Sequence, residues 1–135
     1  MKYLASSLSK VLLCTVFAEL WVPAQAAATE WIRDADGDYS DPANWGPNPP
    51  KPPPNGGTAV ALFGSAITTN RTVSLDQSAT LARIEFDNAN NYSIIAADPS
   101  DTLILKSIVV TNNNGNGAHS ITAPIIPTSD EPQMW

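Results

Sequence analysis

Cysteine is almost missing from the 135 residues, with Cys14 alone. Disulfides and thiolate chemistry are therefore excluded as the basis of a mature fold. Histidine is as scarce: His119 is the only one, so no cluster of His and Cys exists to hold a transition metal. Basic residues are few, seven Lys+Arg against thirteen Asp+Glu, for a formal net charge of −6. Nucleic-acid binding needs a Lys/Arg surface against the phosphates, and this chain lacks one. Long apolar runs are lacking too. The longest, Val11 to Val22, is broken by Glu19 and falls short of the roughly 20 residues that span a bilayer. No amphipathic helix pattern of useful length follows Ala27. The chain length allows one small domain.

What is present begins with an address. Lys2 and Lys10 precede the apolar run, Pro23 breaks it, and Ala24-Gln25-Ala26 places small residues at the −3 and −1 positions. That is the layout of a secretory signal peptide over residues 1–26, cut after Ala26, with a second candidate cut after Ala28. Leu13 before Cys14 argues against a lipoprotein. Removing Lys2, Lys10 and Glu19 leaves five basic and twelve acidic residues, a net −7, on a cysteine-free chain. The expected location is secreted or extracytoplasmic, at the cell surface, with no membrane span in the mature chain.

Residues 27–57 are polar and rich in turn formers, and Pro49-Pro50-Lys51-Pro52-Pro53-Pro54 reads as an extended, stiff spacer or surface loop. Residues 58–126 carry short apolar runs between turns. The expected strands are Ala59–Phe63, Thr72–Leu75, Leu81–Phe86, Tyr92–Ile95, Thr102–Val110 and His119–Ile126. Alternation puts Ala82, Ile84 and Phe86 toward a core and Arg83 and Glu85 toward water. Leu103 and Leu105 differ in parity from Ile108 and Val110, so a bend at Lys106-Ser107 is expected to turn both pairs inward. Residues 127–135 read as a flexible tail.

The turns recur. Asp87-Asn88-Ala89-Asn90-Asn91 and Thr111-Asn112-Asn113-Asn114-Gly115-Asn116-Gly117 follow apolar strands, and Ile84 and Phe86 map onto Ile108 and Val110 at an offset of 24 residues. Asn and Gly tolerate the backbone angles of tight corners. A repeat of this length suggests an all-β fold, a short β-solenoid. A β-sandwich with a strand about every ten residues is the alternative.

One ordered set of residues carries a resemblance. It runs from Trp31 through Gly37-Asp38-Tyr39-Ser40-Asp41-Pro42-Ala43-Asn44-Trp45 to Pro54-Asn55-Gly56-Gly57-Thr58-Ala59-Val60-Ala61-Leu62-Phe63-Gly64. Arg71-Thr72-Val73-Ser74-Leu75, Leu81-Ala82-Arg83-Ile84-Glu85-Phe86 and Tyr92-Ser93-Ile94 complete it. The set resembles the N-terminal region of bacterial surface proteins with autotransporter-associated β-strand repeats, many from bacteria whose exported proteins carry PEP-type sorting signals. The resemblance covers roughly Trp31 to Ile126. It implies that the tryptophans open a passenger as an N-terminal cap and that parallel solenoid rungs follow, this chain being like the first segment of longer proteins.

Candidate chemistry is sparse. Asp34, Asp36 and Asp38 alternate as in the start of a Ca²⁺ loop, but Tyr39 and Trp45 then stand where such a loop needs Gly and a bidentate Glu. A solvated acidic turn is the competing reading, and no other cofactor is expected. Trp31, Tyr39 and Trp45 could stack on sugar rings, or bury themselves as the cap. His119 beside Ser120 lacks a nucleophile turn, and Asp87 with Asp98 or Asp101 has no spacing that marks a glycosidase pair. No catalytic residue is assigned.

Two function classes follow. The leading one is a non-catalytic secreted or cell-surface β-solenoid, the N-terminal segment of an adhesin-like or envelope passenger. The other is a secreted carbohydrate-binding module, or the end of a β-helical polysaccharide-active enzyme. Expected partners are glycans or other envelope components, not nucleic acid. Self-association is expected through an open end near Ile121, Ile125 and Ile126.

Overall fold

The computed structural model describes residues 27–47, 49–112 and 118–128. The expected signal peptide 1–26, residues 113–117 and the expected tail from 129 onward lie outside the described residues. Ten strands follow in chain order: β1 Thr29–Trp31, β2 Gly37–Asp38, β3 Trp45–Gly46, β4 Gly56–Phe63, β5 Arg71–Leu75, β6 Ala79–Asp87, β7 Tyr92–Ala96, β8 Leu103–Asn112, β9 Ser120–Ile121 and β10 Ile125–Pro127. Among the described residues the only helical element is one 3-10 turn, Pro42–Asn44, opened by Asp41, whose side chain accepts the Ala43 N–H at 2.9 Å. The fold is all-β.

The strands form two sheets. The longer has the order β10-β8-β6-β4-β1-β3, the shorter β2-β5-β7-β9. From β4 to β10 each strand lies in the opposite sheet from the one before it. Ladders from β4 to β6 to β8 to β10, and from β5 to β7 to β9, are parallel. Parallel neighbours need a crossover between them, and here each crossover is a strand of the other sheet. The antiparallel pair is β1 with β3, through Glu30↔Gly46 and Trp31↔Trp45.

The 24-residue offset is the register itself, because Ile84 pairs with Ile108 and Phe86 with Val110. One layer earlier, Ala61 pairs with Ile84 and Phe63 with Phe86. Like side chains therefore stack between layers. A single buried cluster runs between the two sheets, from Trp31 and Trp45 through Phe63, Val73, Leu75, Leu81, Ile84, Phe86 and Ile94 to Leu103 and Leu105. Each aliphatic or aromatic side chain taken fully inside contributes roughly 1.5–3 kcal/mol.

Three expectations change. In β6 the inward residues are Ala79, Leu81, Ile84 and Phe86, while Ala82 is half-buried. The alternation breaks between Leu81 and Ile84, where β4 spends Gly56 to Val60 against Leu81 to Arg83 in an irregular register. Gly56 permits this with φ of 132°, a backbone region that side chains disfavour. His119–Ile126 is two strands, not one. Thr122 donates to Ile94 O and Leu103 N–H to Pro124 O, both at 2.9 Å, so the chain leaves one sheet and joins the other across buried Ala123. The proline stretch is no free spacer: the Lys51 N–H reaches Trp45 O at 3.1 Å, and buried Pro54 accepts the Tyr39 hydroxyl at 2.6 Å.

Polar side chains at the corners tie each layer to the next. Asp36, Asn70 and Asn91 accept the N–H groups of Thr72, Asn91 and Ala118 at 2.8, 2.9 and 2.7 Å. On the longer sheet Asn55 and Ser78 do the same for Thr80 and Thr102. These side chains accept backbone N–H groups at or near the starts of strands.

Candidate functional site

The three rings expected to meet sugar lie inside. Trp31 and Trp45 are 0% exposed and Tyr39 is 1% exposed. Trp45 meets Trp31 edge-on at 5.4 Å and Tyr39 at 5.0 Å, and its far side packs on Phe63 at 5.6 Å. Their polar atoms are satisfied by backbone carbonyls: Trp31 Nε1 donates to Arg33, Trp45 Nε1 to Tyr39 and Tyr39 Oη to Pro54. With no exposed face, they cannot stack on a sugar. Buried Asn44 holds the layer beneath them, donating to Asp38 O at 2.8 Å and accepting from Arg33 at 3.1 Å. Gly37 is required there, because a Cβ would sit 2.7 Å from Asn44 Nδ2.

The acidic turn is likewise committed to the chain. Asp34 accepts the Thr68 N–H, the Thr68 hydroxyl and Arg71 Nε at 3.1, 2.6 and 3.0 Å. Those Thr68 bonds, with Arg71, hold its carboxyl below the ordinary value of 3.8. Asp36 is taken by the Thr72 N–H, and Asp38 lies in β2, paired with Ser74. The carboxylates of Asp34 and Asp36 serve separate backbone and side-chain donors. Among the described residues no group of three His, Cys, Asp or Glu side chains is placed to hold a metal ion.

His119 stacks on Phe86 at 4.6 Å, within 8° of parallel, and its Nδ1 accepts the Tyr92 N–H at 3.2 Å. It caps the aromatic column. Asp98 and Asp101 shape one turn: Asp98 accepts from the Ser100 N–H and hydroxyl, which lower its pKa, while Asp101 accepts the Asp98 N–H. The phenols of Tyr39 and Tyr92 are pushed above their ordinary value of 10.0 by burial, Tyr92 also by the charges of Glu30 and Asp34.

The feature that stands out is the far edge of the longer sheet. Leu103 and Leu105 are buried under β10, but Ile108, Val109 and Val110 are 47%, 39% and 50% exposed. Their ladder partners Ile84 and Phe86 are 0% and 2% exposed. Ile108 and Val110 pair with Ile84 and Phe86, but the register shift in this ladder lies between Phe86 and Asp87, not at Lys106-Ser107. What uncovers them is the shortness of β10, which pairs only with Leu103 to Leu105. Ile125 and Ile126 lie beside them, also exposed. A groove of about 240 Å³ opens where β10 stops, lined by Leu105, Lys106, Ser107, Ile108, Ile125 and Pro127. Sequence alternation marked Ile108 and Val110 as inward-facing, and both are exposed. A scan of protein-family models and searches of curated proteins and of solved structures found no match to this chain.

Proposed function

We propose that this chain is a non-catalytic exported protein of the cell surface, a short parallel β-solenoid closed at its first layer by a tryptophan cap. It serves as the opening segment of an adhesin-like or envelope passenger. The observation that carries this reading is the run of parallel ladders with like residues in register, Ala61 to Ile84 to Ile108, sealed at one end and open at the other. A sandwich built from hairpins would pair sequential strands antiparallel. Here sequential strands from β4 onward sit in different sheets. The three rings expected to serve the glycan-binding alternative, Trp31, Tyr39 and Trp45, are buried, which favours the first reading.

Expression of the full chain in a Gram-negative host tests it. The product is expected outside the cytoplasm, with a mass that places its first residue at Ala27 or Thr29 and with protease sensitivity on intact surface-displaying cells. An uncut chain retained in the cytoplasm would overturn the exported reading. Methyl contacts between Ala61, Ile84 and Ile108 in solution test the layered one.

A further inference from the structure

We propose that Asn55 is a self-modification site: the Gly56 backbone nitrogen closes on the Asn55 side chain, expels ammonia, and leaves aspartate or isoaspartate where the chain enters β4. The reaction belongs to one corner of the molecule and proceeds whether or not the protein is exported.

The step needs no reactant but water. The lone pair of the Gly56 nitrogen forms a bond to Cγ of Asn55, and that nitrogen gives up its proton. The Cγ–Nδ2 bond breaks, and ammonia carries away its electron pair and the proton, leaving a cyclic succinimide. Water then opens the ring at either carbonyl. Opening at Cγ gives aspartate. Opening at the main-chain carbonyl gives isoaspartate, whose chain runs on through Cβ and Cγ.

Sequence and structure both select this position. Among the described asparagines Asn55 alone is followed by glycine, and a side chain on the next residue would shield the attacking nitrogen. Asn55 is exposed, one residue ahead of β4. Gly56 has nothing within 4 Å of where a Cβ would stand, at a φ of 132° that side chains disfavour. Its hold on the sheet is slight. After Gly56↔Leu81 the register is irregular until Val60↔Arg83, so this strand end opens at low cost. The Thr80 N–H donates to Asn55 Oδ1 at 2.9 Å. It polarises the carbonyl under attack and faces the oxygen that gains charge as Cγ becomes tetrahedral. Asn44 and Asn88 are by contrast buried, their amides donating to the backbone carbonyls of Asp38, Gly64 and Ile67.

The two products act differently on the fold. Aspartate keeps an oxygen for the Thr80 N–H, and a carboxylate accepts it more strongly. Isoaspartate lengthens the backbone by an atom between Pro54 and Gly56. The Pro54 carbonyl holds the Tyr39 hydroxyl at 2.6 Å, and Gly56 pairs with Leu81. An extra atom between those anchors shifts one against the other. The buried cluster of Trp31, Tyr39 and Trp45 is thereby loosened from β4 as the protein ages.

Peptide mapping of the purified full chain tests the proposal after weeks in mildly alkaline buffer, native and in urea. Trypsin leaves residues 34–71 on one peptide, because Lys51 precedes Pro52, and so separates Asn55 from Asn114-Gly115 and Asn116-Gly117. The native sample is expected to gain the mass of an amide-to-acid conversion at residue 55, with isoaspartate in excess over aspartate. An unreacted residue 55 in the native protein, or one that reacts only after urea unfolds the chain, overturns the proposal. Thermal melts read the consequence. Aged wild type is expected to lose about 2 °C or more in Tm relative to fresh protein. Asn55→Ser keeps an oxygen for Thr80 and cannot close the ring, so it is expected to lose less. Equal losses in the two would overturn the loosening at this junction.

Discussion

Phe63 and Phe86 stand one above the other in adjacent layers, ring centroids 5.5 Å apart and 23° from parallel, because they are ladder partners of β4 and β6. The contact is one step of a column. Trp45 packs on Phe63 from the capped side, and His119 stacks on Phe86 from the other. Parallel in-register strands repeat the same side-chain position in every layer, so one well-placed ring recruits the next.

The column makes matched positions unequal. Phe86→Ala is expected to cost about 3–5 kcal/mol, as for a filled core site. Val110→Ala, at the partner position one layer on, is expected to cost less than about 1 kcal/mol, because that side chain is half exposed. Urea unfolding of both variants in dilute solution measures this. Equal costs would contradict the layered core.

Asn88 is buried at the corner after β6, donating to Gly64 O at 2.9 Å and Ile67 O at 3.1 Å. Asn88→Ala is expected to cost about 1–3 kcal/mol. Asn88→Asp is expected to cost more at neutral pH, since a carboxylate would face two carbonyls. The fold would raise the pKa of that carboxyl, so the extra deficit is present at high pH and shrinks as the group protonates. Thermal melts of both variants from neutral to acid pH read the difference.

Alkali is expected to unfold the protein through Tyr39 and Tyr92. Both phenols are raised in the folded state, Tyr39 by burial and Tyr92 by burial first and then by nearby carboxylates. A raised folded value means that their contribution is full below the unfolded value of 10.0 and is lost as pH climbs above it. Phenolate absorbance and tryptophan fluorescence are expected to change together above that pH. Tyr39→Phe moves the transition upward, at the neutral-pH cost of about 1 kcal/mol for its hydrogen bond. Phenols that titrate near 10 without unfolding would contradict their burial.

Asp34 supplies the matching acid limb. Its folded pKa lies below 3.8, chiefly through Thr68, so its contribution is present above 3.8 and is lost as pH falls below it. Asp34→Asn is expected to give a shallower loss of stability below about pH 4. Because Asp34 and Asp36 already serve Thr68, Arg71 and Thr72, millimolar Ca²⁺ is expected to leave Tm unchanged. A concentration-dependent rise in Tm of more than about 2 °C would restore the metal reading.

Strands were legible wherever apolar and polar residues alternate between Asn- and Gly-rich turns, as at Arg71–Leu75 and Tyr92–Ala96. The break at Ala82-Arg83 was not, because it depends on the irregular register that β4 imposes on β6. The split of His119–Ile126 was hidden for a similar reason: each half pairs with a different sheet. The candidate site inverted. Residues chosen for their chemistry, Trp31, Tyr39, Trp45, Asp34 and Asp36, are taken up by the core and by hydrogen bonds to Thr68 and Thr72, while Ile108 and Val110, chosen for the core, are on the surface.

The sequence by itself determined local conformation and periodicity, since turn propensity, alternation and the 24-residue offset are written in neighbouring residues. Exposure was decided only by the tertiary structure. Whether a tryptophan is a ligand platform or a cap, and whether an isoleucine is core or edge, depends on what lies in the next layer. Phe86 has His119 above it and is 2% exposed; Val110, at the same position one layer later, is 50% exposed. Hydrophobic burial is a property of the stacked neighbour as much as of the side chain.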